Sequence, residues 1–187
     1  MKLAGIILIV ISTLTMFIFL FAKSDSFISL REIIDSHLKL FKNSKKQYLL
    51  FYLLPLIFAV GLALVYEAGA TFYENLSIIV SILLSMLLAI LSILSSIKFN
   101  FSDKATQEKI KNLLTETNNA IIFDTLLSIG LLLFGLVMIV IGDISACDGI
   151  VKRICAGVSY YLFVLILINI LLIIKRIGRI IKINTEN

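Results

Sequence analysis

Six serines, Ser77, Ser81, Ser85, Ser92, Ser95 and Ser96, recur inside a run otherwise made almost wholly of Leu, Ile, Val and Met, Asn75–Ile97. At 100° per residue they share an arc of about 100°, which six residues reach by chance about once in a hundred helices. Ala89 prolongs the strip. A hydroxyl gains nothing from facing hydrocarbon, so this strip is expected to face protein or water. Glu74, one turn earlier, falls in the same arc. An acid at the mouth of a hydroxyl-lined helix suits a weakly cation-selective path, provided several copies surround an axis. Tight packing between helices accounts for the same serines with no path at all. The candidate pathway or helix-packing face is therefore Glu74, Ser77, Ser81, Ser85, Ser92 and Ser96.

Asp124 and Asn169 are a second candidate, an intramembrane polar pair. Asp124 starts about one turn inside one edge of its apolar run, and Asn169 lies within two turns of Lys175, at similar depth. A carboxylate is costly there, by up to about 2.5–3.5 kcal/mol at the membrane centre and less near its edge, and a hydrogen bond from Asn169 would lower that cost. Helix-packing glue and a proton or cation site are both open readings. Ser128, Gly135 and Gly142 continue the Asp124 face and favour close approach of a neighbouring helix.

Cys147 and Cys155 are the only cysteines, and both fall in one short polar loop. If that loop is translocated, a disulfide capping the last two spans is expected; otherwise they are two thiols at the interface. His37 is the only histidine, so no metal-ligand cluster is expected. There is no Walker loop, HExxH or nucleophile elbow. The chain is accordingly read as non-enzymatic, with no cofactor.

These residues must be positioned by membrane helices. The 187 residues are 60% hydrophobic, with a mean hydropathy of +1.07, against about 45–50% apolar in soluble domains. Five runs have roughly the 20 residues that cross hydrocarbon as a helix: Leu3–Phe21, Tyr48–Tyr66, Asn75–Ile97, Asn119–Ile141 and Ala156–Ile174. The expected fold class is all-α: a polytopic helical bundle forming one membrane domain over residues 1–187, with short amphipathic cytosolic helices. The first run carries a poor cleavage site, so an uncleaved anchor is expected.

Charge sets the expected orientation. Of 17 Lys and Arg, six lie between Lys23 and Lys46, four between Lys98 and Lys111, and four between Lys175 and Lys182. The opposite side holds only Lys2, Lys152 and Arg153. This positive-inside bias predicts an outside N-terminus and a cytosolic C-terminus, in the inner membrane of a bacterium or archaeon. The net charge of +5 fits a bilayer with anionic headgroups rather than nucleic acid.

Three segments form the expected cytosolic collar: residues 23–47, 98–118 and 175–187. Ser29 and Glu32 suit a capping box, and Leu30, Ile34, Leu38 and Phe41 repeat at helical spacing. Ser102 or Asp103 would cap a second helix running into the fourth span. Pro55, with Ala59 and Ala63, predicts a kinked helix packed along a smooth strip. The function expected from all this is a small homo-oligomer that forms or gates an ion-conducting or membrane-permeabilising path. By analogy of architecture it would be a defence-type effector or accessory. The alternative is a non-catalytic scaffold or immunity-type subunit, bound to a cytosolic or membrane protein partner.

Overall fold

A backbone in hydrocarbon must satisfy its own hydrogen bonds, and long Leu- and Ile-rich runs do so as helices. The computed structural model describes residues 11, 12, 15, 33, 34, 49–66, 68–96, 104–142 and 149–185, and all of them are helical except positions 66, 68 and 69. The helices are α1 (Leu54–Val65), α2 (Ala70–Ser96), α3 (Lys104–Gly142) and α4 (Gly149–Thr185). No strand occurs among the described residues.

Three of the five expected spans correspond to helices long and apolar enough to cross a membrane: α2, α3 and α4. The second, Tyr48–Tyr66, coincides with a shorter apolar helix, Phe51–Val65. The first, Leu3–Phe21, lies largely outside the described residues, as does the amphipathic segment that begins at Ser29. A count of five is thus an expectation, and three is what the helices support.

Pro55 has a visible local consequence. A π-helical turn, Leu49–Leu53, precedes α1, and Pro55 sits in the first turn of α1 itself. Proline has no N–H to give to the preceding turn and its ring crowds that turn's carbonyl, so widening the turn just ahead of it relieves the clash. Pro55, Ala59 and Ala63 are the buried residues of α1. The strip packs on α4, where a Cβ on Gly157 would lie 3.5 Å from that of Ala63.

α3 and α4 exceed what a bilayer needs. Their 39 and 37 residues correspond to about 58 and 55 Å, against a hydrocarbon core of about 30 Å. Both run without a break from apolar to charged sequence, α3 from Lys104 and α4 to Thr185. α3 packs against α2 and α4, and α4 also packs against α1. The main core joins Leu76, Val80, Leu87 and Leu94 of α2 to Ala120, Ile121 and Leu131 of α3 and Ile166, Ile170 and Ile173 of α4. A second cluster, Ala68, Tyr73, Met138 and Ala156, closes the end beside the α1–α2 loop. There the Phe72 and Tyr160 rings lie 4.9 Å apart.

Candidate functional site

Polar side chains occupy two distinct settings. In the first, a seam between α3 and α4, they are buried. Asp124 and Asn169 are 0% and 1% exposed. Asn169 Nδ2 donates to Asp124 Oδ1 at 3.0 Å. Asp124 Oδ2, Thr125 Oγ1 and Ser128 Oγ are buried without a hydrogen-bond partner among the described residues. The two helices bring the pair together because they run antiparallel, and because Asp124 and Asn169 stand at matching depth from the charged ends. The same pairing places Arg176 beside Glu116. Arg176 Nη1 donates to the Glu116 carbonyl oxygen at 3.0 Å, and Nη2 lies 3.6 Å from its carboxylate. That clamp closes the seam at its basic end. Sequence reasoning missed it, although both residues lie one helical turn or less past the apolar runs.

In the second setting, along α2, polar side chains are uncovered. α2 carries three faces. Tyr73, Leu76, Val80, Leu87 and Leu94 form the buried one. Ile78, Ile79, Ile82, Met86 and Ile93 form an exposed apolar one. Between them runs the serine strip, in which Ser81, Ser85, Ser92, Ser95 and Ser96 are exposed, together with Ala89 and Glu74. Only 17% of the apolar stretch of α2 is buried, against 39% for α3 and 33% for α4, so α2 is the least covered of the three. No other helix of the described chain covers the strip.

Four of the five exposed hydroxyls are nonetheless satisfied. Ser81 donates to the Ser77 carbonyl at 2.7 Å, Ser85 to that of Ser81 at 2.9 Å, Ser95 to that of Leu91 at 2.8 Å and Ser96 to that of Ile93 at 2.8 Å. Such back-bonding meets a serine's own hydrogen-bonding need inside the helix. It leaves each oxygen with both lone pairs to offer to water or to a facing helix.

Ser77 is where the two settings touch. Its hydroxyl donates to the Tyr73 carbonyl at 2.8 Å, and a Cβ built on Gly135 would come within 3.1 Å of Ser77 Oγ and 4.0 Å of the Tyr73 carbonyl oxygen. Gly135 therefore sets how closely α3 approaches α2. Gly135 belongs to the Asp124 face, so one face of α3 meets α4 through Asp124 and α2 through Gly135. The cysteines are divided by what is described. Cys155 is half-buried in the early turns of α4, and its carbonyl accepts from Ser159 at 3.0 Å; Cys147 lies outside the described residues. Among the described residues no group of three His, Cys, Asp or Glu could hold a metal ion.

No family model matches this chain, and no curated protein or solved structure matches it either. The geometry of the two polar settings must carry the functional argument alone.

Proposed function

We propose that this chain is an integral membrane protein of the cell membrane that assembles with copies of itself and forms or gates an ion-conducting or permeabilising path. The reading rests on one observation: Glu74 and the exposed serines share a face of α2 that no other helix among the described residues covers. A second copy of α2 seated there would exclude lipid from the hydroxyls. Around an axis, the same faces would line a narrow path whose Glu74 ring attracts cations at one mouth. The asymmetry of Lys and Arg supports placing that mouth outside and the long charged ends of α3 and α4 in the cytosol. No catalytic step is assigned to any residue. A defence-type effector or accessory is the role that this architecture suggests by analogy.

One observation favours the alternative, a non-catalytic scaffold or immunity-type subunit. Because Ser81, Ser85, Ser95 and Ser96 satisfy themselves within α2, the strip can also pack dry against a larger membrane partner. Ion release from potassium-loaded liposomes separates the two. The conducting assembly releases potassium, and Glu74→Lys shifts its selectivity away from cations. Intact barriers with the wild-type chain would favour the scaffold. Release with unchanged selectivity would remove Glu74 from the path.

A further inference from the structure

Asp124 is an acid with no base set against it. Over residues 117–142 it is the only ionisable side chain of α3, and the helices packed on α3 bring none to it from residues 75–96 of α2 or 162–174 of α4. The nearest charged residue along α3 is Glu116, a second acid, about 12 Å away along the axis and engaged by Arg176. Asp124 is fully buried, and the hydrogen bond that Asn169 gives to Oδ1 brings a dipole but no charge. A carboxylate sealed in that position calls for a positive partner that the described helices do not supply.

The oxygens around it are also left open. Asp124 Oδ2, Thr125 Oγ1 and Ser128 Oγ are buried, and none has a hydrogen-bond partner among the described residues. They fall within about one turn of α3 and an arc of about 100°. Other buried hydroxyls of the bundle turn back on their own helix: Thr117 donates to the Leu113 carbonyl at 2.7 Å and Ser159 to the Cys155 carbonyl at 3.0 Å. Ser128 is as deeply buried, yet it does not bond the Asp124 carbonyl one turn before it. Helix side chains lean toward the N-terminus, so its hydroxyl stands over the turn that carries Asp124. Asn118 Oδ1, buried and equally unpartnered, lies on the Thr125 side of α3, about 10 Å nearer the charged end.

We propose that Asp124 Oδ2, Thr125 Oγ1 and Ser128 Oγ form a binding site for one small monovalent cation, an alkali ion or a proton. Hard cations prefer such oxygens, and one carboxylate balances one positive charge, whereas a divalent ion would leave an excess. The two hydroxyls contribute oxygen without adding charge. An oxygen set with a single acid differs from the His and Cys sites that hold transition metals. Asn118 marks the entrance from the charged ends of α3 and α4. The site lies on the seam rather than on the Glu74 face, so it stands or falls independently of conduction.

The full-length chain, purified in a neutral detergent, would be unfolded by heat in sodium chloride or in choline chloride of equal ionic strength. A ligand that binds only the folded state raises the unfolding temperature as its concentration passes the dissociation constant. Sodium is expected to raise that of the wild type above its value in choline. Ser128→Ala should need about tenfold more sodium for the same rise, and Asp124→Asn, which keeps the shape of the side chain, should show none. Dicyclohexylcarbodiimide, which modifies carboxyls that carry a proton, supplies the second arm, read on the wild type by peptide mass spectrometry. Modification of Asp124 ahead of the exposed Glu108, slowed by sodium, assigns the site to an alkali ion. The same modification with no effect of sodium on it or on unfolding assigns the site to a proton. An equal sodium effect in the wild type and Asp124→Asn would overturn the proposal, as would no sodium effect together with an unmodified Asp124. The wild-type and Ser128→Ala measurements decide the matter even where Asp124→Asn fails to fold.

Discussion

The α3–α4 seam and the serine strip of α2 use polar residues inside apolar helices in opposite ways. The seam buries them, and its Asn169 and Asp124 pair across two helices. The strip exposes them, and the hydroxyls of Ser81, Ser85, Ser95 and Ser96 turn back on their own helix. A polar group bonded across an interface holds that interface in register. A polar group satisfied at home leaves its face free to meet something else. The contrast distinguishes what builds the chain's fold from what the chain presents.

Breaking the seam should have the largest effect on stability. Asn169→Leu removes the one partner that Asp124 Oδ1 has among the described residues and should cost about 1–3 kcal/mol, read as unfolding in mixed micelles. Asp124→Asn retains an amide able to pair with Asn169 and should cost much less. A similar cost from both would show that burial, not the hydrogen bond, carries the seam. Next comes the point where seam and strip meet. Gly135→Val drives a branched side chain toward Ser77 and the Tyr73 carbonyl, at about 1–3 kcal/mol. Gly157→Ala, whose new methyl would make ordinary contact with Ala63, should stay within about 0.5 kcal/mol. The Glu116–Arg176 clamp is weaker, because Glu116 is 46% exposed. Arg176→Gln should cost under about 1 kcal/mol once solvent screening is allowed for. Smallest of all for the stability of the chain is Ser81→Leu with Ser85→Leu, within about 0.5 kcal/mol. The same pair should abolish assembly, measured by light scattering in detergent, and that separation of effects sharpens the comparison most.

Sequence periodicity made much of this legible for particular reasons. The serine strip could be read because six hydroxyls on one arc of an apolar helix stand out against their neighbours. The matching depths of Asp124 and Asn169 followed from their distances to the charged ends. Continuation of α3 back to Lys104 followed from helical spacing with no intervening proline or glycine. Other features depend on how helices rotate about one another, which no single helix encodes. Arg176 and Glu116 meet only once α3 and α4 are in register. Ser77 was grouped with the strip, yet it faces Gly135. Back-bonding of the serines also tempers the expectation that hydroxyls must seek protein or water, since a helix can satisfy them itself. The turn ahead of Pro55 shows a kink signal resolved as a widened turn at a helix start.

The central claim is that the serine strip is where a second copy docks. Disulfide cross-linking in liposomes tests it most directly, using Ser81→Cys, Ser85→Cys and Ile79→Cys in a Cys147→Ser, Cys155→Ser background. Ile79 lies on the exposed apolar face of α2, about 160° around the helix from Ser81. Covalent dimers from Ser81→Cys and Ser85→Cys, with none from Ile79→Cys, are the predicted result. Equal cross-linking from Ile79→Cys, or none from either serine position, would contradict the account.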